Sequence, residues 1–274
     1  NQKFNIKVIS PNFELEYDID LKEVESKLQK LIKYSEPTNN SKTLFVWPEG
    51  VFSGYNYEEL LIFKELFSKN FSENHFILFG VNKYNPKKNG NFNSLIIVNN
   101  ELEILKEYHK QKLVPFGEFL PFEKLLRRIG LKKITEGHGS FLAGGKQENL
   151  NLDNLNILPL ICYEVIFTKL IQKSPDETNL IINISEDGWF GDSIGPHQHF
   201  SKGIFRAIEQ NSFFIRSANK GTSAIINNKG EIIKILNPNE TGNIELEVPL
   251  IKNNNKNKND LIFFMLLITY YFIF

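Results

Sequence analysis

Short apolar runs alternate along the chain with segments whose apolar positions recur every three or four residues, and this two-period pattern predicts an α/β arrangement. β-Branched and aromatic content predicts strands at Phe4–Ser10, Thr43–Trp47, Phe76–Val81, Asn93–Val98 and Glu103–Tyr108. The second half repeats the theme at Asn156–Cys162, Asn179–Ile184, Phe213–Ser217, Ser223–Asn227 and Glu231–Leu236. Helical spacing marks Leu21–Tyr34, through Leu21, Val24, Leu28 and Ile32, and Tyr57–Ser68, through Leu60, Ile62, Phe63, Leu66 and Phe67. A third helix is predicted over Gly195–Gln210, where Pro196 suits a first turn. Asn89-Gly90 and Asn228-Lys229-Gly230 predict hairpin turns. With no repeat at a solenoid period, the pattern reads as one α/β domain of sheets covered by helices.

The pattern changes after residue 250. Residues 251–260, rich in Asn and Lys, read as a polar linker. Leu261 to Phe274 then runs fourteen residues without a charge. A complete crossing needs about 20 apolar residues, and a helix apolar on every side must lie in protein or in lipid. The run is therefore expected to be a short membrane segment that follows a catalytic domain at 1–250. The chain opens on Asn1 with no basic stretch and apolar run of the signal-peptide kind, and is expected to be the later part of a longer polypeptide.

Composition narrows the function classes. The 274 residues carry 32 basic and 32 acidic side chains, 41% are apolar, and no block interleaves Lys and Arg with aromatics, so nucleic-acid binding is set aside. The single cysteine excludes an intrachain disulfide framework and a multi-cysteine zinc site. His197 and His199 lie two apart, but no third ligand candidate stands at a typical spacing, so a structural role is expected for that stretch.

Candidate chemistry sits at three predicted strand ends. Phe45-Val46-Trp47-Pro48-Glu49-Gly50 ends an apolar run with a carboxylate, Tyr108-His109-Lys110-Gln111-Lys112 leads into Leu113-Val114-Pro115-Phe116-Gly117-Glu118, and Leu158-Pro159-Leu160-Ile161-Cys162-Tyr163-Glu164 ends in a thiol. Taken singly, each has a structural explanation: a free Cys is usually an inert small hydrophobe, a Glu beside Gly is a turn residue, and a Lys is usually solvated. Their joint occurrence where strands meet loops favours catalysis, because rigid strands hold functional loops in place. A thiol with a pKa near 8.5 needs a base or a cationic neighbour to attack a carbonyl at neutral pH. A carboxylate can take its proton and an ammonium can face the resulting oxyanion. Cys162 is thus a candidate nucleophile.

The same three strings resemble the carbon–nitrogen hydrolase (nitrilase) superfamily. Trp189-Phe190-Gly191-Asp192-Ser193, Gly195-Pro196-His197-Gln198-His199, Arg206-Ala207-Ile208-Glu209 and Arg216-Ser217-Ala218-Asn219 are similar to its apolipoprotein N-acyltransferase branch, over about Phe4 to Pro249. The resemblance implies a four-layer α-β-β-α sandwich in which Glu49 is the general base, Lys110 stabilises the oxyanion and Cys162 is the nucleophile. It selects Lys110 over Lys112 by the spacing to Leu113-Val114-Pro115. It further implies supporting roles for Glu118, Tyr163 and Glu164, and makes Trp189, Phe190 and His199 candidates for the substrate pocket.

The implied reaction moves a fatty acyl chain from a phospholipid to the amine of a diacylglyceryl cysteine on an apolipoprotein, with no cofactor and no metal. The implied setting is the periplasmic side of a bacterial inner membrane, with an upstream membrane bundle. The alternative is a soluble carbon–nitrogen hydrolase that uses the same three residues on a small amide or carbamoyl compound. Two departures stand out. Ser10-Pro11-Asn12 lacks the usual Gln before Asn, and Asn183-Ile184-Ser185-Glu186-Asp187-Gly188 is more acidic than the usual Asn-Asp step, which is expected to add charge to the pocket rim.

Overall fold

The structure, a computed structural model, describes residues 3–16, 19–38, 41–122, 140–146, 148–172, 178–250 and 258–273. Its strands form two six-stranded sheets. The first has the order β12 (Gly242–Pro249), β1 (Lys3–Ser10), β2 (Thr43–Val46), β3 (His75–Asn85), β4 (Gly90–Val98) and β5 (Ile104–His109). The second has the order β11 (Ile232–Leu236), β10 (Ser223–Ile226), β9 (Phe213–Asn219), β8 (Leu180–Glu186), β7 (Leu155–Ile161) and β6 (Leu150–Leu152). Each sheet has three parallel strands, β1–β2–β3 or β7–β8–β9, flanked by antiparallel neighbours.

Side-chain alternation sets the layers. Along β2, Leu44 and Val46 point between the sheets while Phe45 points outward; along β7, Ile157 and Ile161 point between the sheets while Leu158 and Leu160 point outward. The inner faces meet in one core that includes Ile6, Val8, Leu78, Leu95, Ile182, Ile184 and Cys162. The outer face of the first sheet packs on helix α1 (Leu21–Ser35) through Val24, Leu28, Leu31 and Ile32. The outer face of the second packs on the helix Gly195–Gln210, whose Ala207 joins Ile181 and Phe214. Helix, sheet, sheet, helix: four layers result.

Local sequence explains how these elements start and stop. Asp20 accepts from the backbone N–H of Lys22 and Glu23, both at 2.9 Å, while the Glu23 side chain accepts from Asp20 N–H at 2.8 Å, a capping box that starts α1. Trp47 follows β2 directly and is fully buried among Phe52, Phe67, Phe71 and Phe79, with its Nε1–H donating to Ser35 Oγ at 2.9 Å. A tryptophan so placed contributes roughly 3–5 kcal/mol, and it fixes the backbone two residues before Glu49.

Three expectations change in detail. The helix expected over Tyr57–Ser68 is two α-helical pieces, Tyr57–Leu60 and Lys64–Asn70, joined by a 3₁₀ turn at Leu61–Phe63. The tighter turn leaves Leu61 and Ile62 exposed while Leu60, Phe63 and Phe67 face the sheet. β12 and β6 were not anticipated, and Cys162 falls just outside its expected strand, at the start of a 3₁₀ turn spanning Cys162–Ile166.

Of the expected linker, residues 251–257 lie outside the described residues. Lys258–Ile273 forms a 16-residue helix whose large apolar side chains from Phe263 to Phe272 are 54–81% exposed. Its length is about 24 Å at 1.5 Å per residue. Among the described residues no helix is long and apolar enough to cross a membrane.

Candidate active site

Glu49 lies in the bend after β2, Lys110 follows β5, and Cys162 follows β7. Two glycines admit the bend at Glu49. Gly50 has φ +77°, and a Cβ on Gly80 of β3 would lie 2.9 Å from Glu49 Cα. Lys110 N–H donates to Asn93 O at 2.9 Å, which extends the β4–β5 ladder to the lysine itself.

The Lys110 side chain is 1% exposed, with Nζ 2.8 Å from Glu118 Oε1 and 3.5 Å from Glu49 Oε1. Asn93 Nδ2 bridges the same two oxygens, at 2.7 Å to Glu49 and 2.8 Å to Glu118. The remaining oxygens accept backbone donors: Glu49 Oε2 from Glu186 N–H at 3.0 Å, and Glu118 Oε2 from Val114 N–H at 2.9 Å. All four carboxylate oxygens therefore have partners, as a buried charged cluster requires. Burial works against the charge on Lys110, but Glu49 and Glu118 outweigh it and hold the ammonium well above its ordinary pKa. Lys112, by contrast, is exposed, with its Nζ 5.9 Å from the Phe167 ring centroid.

Cys162 is 8% exposed and has φ +50°, a left-handed backbone unusual for a residue with a Cβ. Burial pushes its thiol pKa up, the Glu49 carboxylate pushes it further, and Lys110 opposes both. The resting group is a thiol within electrostatic reach of a carboxylate and an ammonium.

Glu164 ties the lysine loop to the cysteine turn. Its Oε1 accepts from Tyr108 OH at 2.8 Å, Gln111 N–H at 2.7 Å and Lys112 N–H at 3.1 Å, and its Oε2 accepts from Ile161 N–H at 2.9 Å. Burial raises its pKa, while the Ile161 N–H and the Lys110 charge pull the other way. Tyr163 is half-buried, edge-on to Phe167 with centroids 5.3 Å apart.

Trp189 is 45% exposed on a 3₁₀ turn, Gly188–Phe190, and Phe190 leans on His199 at 5.7 Å between centroids. His199 itself, expected among pocket residues, is buried with its Nε2 at 2.9 Å from Cys162 O. Asn93, expected only as the start of a strand, was not among the candidate site residues. Its signal is slight, because a strand Asn looks like a turn residue until its partners are known. Among the described residues, no three His, Cys, Asp or Glu side chains converge so as to hold a metal ion.

The acidic step also differs from expectation. Glu186 and Asp187 do not charge a rim, for they are 2% and 1% exposed, drawn inside by Asn219 Nδ2 and Gly188 N–H on Glu186 and by Arg216 on Asp187. Burial, with added repulsion from Glu49 and Asp187, lifts the Glu186 pKa from its ordinary 4.5 to about 8. Between those values the native protein keeps a proton that the unfolded chain has released. The resulting stabilisation is complete below about pH 4.5 and lost as pH rises through about 8. Melting temperatures from pH 5 to 9 are expected to fall more steeply for the wild type than for Glu186→Gln; parallel curves would show that Glu186 does not titrate in this window.

Residues 15–252 match the carbon-nitrogen hydrolase family. An apolipoprotein N-acyltransferase of Rhodopseudomonas palustris is 31% identical over 257 residues, covering 89% of this chain and 48% of that protein. Another, from Rhizobium leguminosarum bv. trifolii, is 42% identical over 158 residues, covering 57% of this chain and 30% of that protein. The chain thus spans half or less of the length of these relatives. A solved CN-hydrolase superfamily protein from Xanthomonas campestris superposes with a TM-score of 0.65 at 14% identity, covering 91% of each chain, and shares the fold. The chain belongs to the carbon-nitrogen hydrolase family.

Proposed function

We propose that residues 1–250 form the catalytic domain of an apolipoprotein N-acyltransferase, working at the periplasmic face of a bacterial inner membrane together with an upstream membrane bundle. The observation that carries the reading is a buried ammonium, Lys110, held between Glu49 and Glu118 beside a buried thiol. The relatives named above support the substrate class. The exposed apolar helix Lys258–Ile273 supports a lipid setting.

In the first step Glu49 takes the thiol proton as Cys162 Sγ attacks the ester carbonyl of a phospholipid. The tetrahedral oxyanion faces Lys110, whose Glu118 partner keeps the ammonium in place before charge develops. The ester C–O bond breaks, the lysophospholipid leaves with the proton from Glu49, and the acyl chain remains on sulfur. In the second step the amine of a diacylglyceryl cysteine attacks the thioester and the C–S bond breaks. The amine proton passes through Glu49 back to the thiol. A thiol kept protonated at rest makes the base indispensable, since little thiolate is present beforehand.

Mass spectrometry after incubation with phospholipid tests the reading. An increase of one fatty acyl chain on Cys162, removable by hydroxylamine, is the expected result. Glu49→Gln should slow the adduct's formation by about 10²–10⁴-fold, the usual contribution of a general base. Absence of the adduct, together with hydrolysis of a small amide, would replace the transferase reading with that of a soluble amidase.

A further inference from the structure

Behind the nucleophile lies a buried polar cluster that the steps above do not use. Cys162 O accepts from His199 Nε2 at 2.9 Å and from Asn183 Nδ2 at 3.4 Å. Nε2 must carry the proton for that bond, which leaves Nδ1 facing Asp187 Oδ1 at 3.1 Å and Arg216 Nη2 at 3.0 Å. Arg216 Nη2 lies 2.9 and 2.7 Å from the two Asp187 oxygens, and Arg216 Nη1 donates to Asn183 Oδ1. Ser185 Oγ donates to Asp187 Oδ1 at 2.6 Å, and Arg216 Nε donates to Thr222 O at 3.2 Å. His199 is 4% exposed, Asp187 1%, and Arg216 and Asn183 are fully buried.

The cluster draws on β8 with the Asp187 that follows it, on β9 and on the helix Gly195–Gln210, and it meets Cys162 at the carbonyl through His199 and Asn183 and at the thiol through Ser185. That carbonyl belongs to a residue at φ +50°. Such a backbone persists only where the surroundings over-determine it. A donor fixed from behind supplies that constraint: rotation of the Cys162–Tyr163 peptide would break the His199 bond and strand a buried imidazole N–H.

We propose that His199, seated on the Asp187–Arg216 ion pair, is a positioning residue that grips the Cys162 carbonyl and so fixes the direction in which the thiol is presented. The inference rests on Cys162 being the nucleophile. It assigns His199 to the rear of the reaction centre and gives the acidic step at Asp187 a task, anchoring the imidazole.

The test compares His199→Gln and His199→Met in the full-length protein, side chains of similar shape of which only Gln can donate to Cys162 O. Two rates are followed: adduct formation with phospholipid, and alkylation of Cys162 by iodoacetamide. His199→Met should slow adduct formation at saturating phospholipid at least tenfold while the half-saturating concentration changes less than twofold. His199→Gln should recover to within threefold of the wild type. Equal impairment of both variants, or a Met variant within twofold of the wild type, overturns the proposal.

Should His199→Met not fold, Asp187→Asn replaces it. Removing the anionic seat should slow both rates at least fivefold, and unchanged rates overturn the proposal. Wild-type protein that forms no adduct at all counts against the thioester reading, while the alkylation rates still decide the role of His199.

Discussion

Cys162→Ala is expected to give a folded protein that takes up no acyl chain and transfers acyl groups about 10⁴-fold or more slowly, the scale seen when a covalent nucleophile is removed. Folding should survive because the change removes one sulfur from a site bordered by the inter-sheet core and leaves the peptide bonds around it intact. Alanine also meets the same left-handed backbone that cysteine does, so no new strain arises. Intact mass after phospholipid treatment, with the melting temperature measured alongside, checks both parts. Retention of more than a tenth of wild-type transfer would move the nucleophile elsewhere in the protein.

The second large effect concerns stability and catalysis together. Lys110→Met takes the ammonium from between Glu49 and Glu118, whose Oε1 atoms already share the single amide of Asn93. Two buried carboxylates then face each other with no cation, at a cost of about 3–5 kcal/mol. The melting temperature should fall accordingly, because the remaining amide of Asn93 cannot replace the ammonium for both carboxylates. Adduct formation should fall by at least 10²-fold, as when an oxyanion partner is lost. Thermal melts of wild type and variant, with the acylation rate of each, give the measurement. A variant as stable as the wild type would show that Lys110 does not hold Glu49 and Glu118 together.

The layered architecture was legible because each half of the chain carries its own set of short apolar runs. Leu44-Phe45-Val46 and Leu158-Pro159-Leu160-Ile161 are apolar throughout, which suits strands covered on both faces. β12 escaped notice although Ile244, Leu246 and Val248 alternate with polar residues. It pairs with β1 along all eight residues, a contact spanning nearly the whole chain that no local pattern can announce. Glu49, Lys110, Glu118 and Cys162 could be named from their motifs, but Asn93 could not. Its importance lies in an amide that reaches two carboxylates from separate loops. The acidic pair Glu186 and Asp187 misled for a related reason. Charged residues after a strand suggest solvent, and only the long-range partners Asn219 and Arg216 reveal why they are inside.

The two sheets share one strand plan, and Glu49 follows β2 where Glu186 ends the corresponding β8; the amide of the second holds the carboxylate of the first. The Glu49 carboxylate and the Lys110 ammonium hang from one slab, the Cys162 sulfur from the other. In the proposed reaction, turnover therefore gauges the gap between slabs. A substitution at Gly80, where a Cβ would meet both Glu49 Cα and the Ile184 side chain, should detune the proposed chemistry before it unravels the chain.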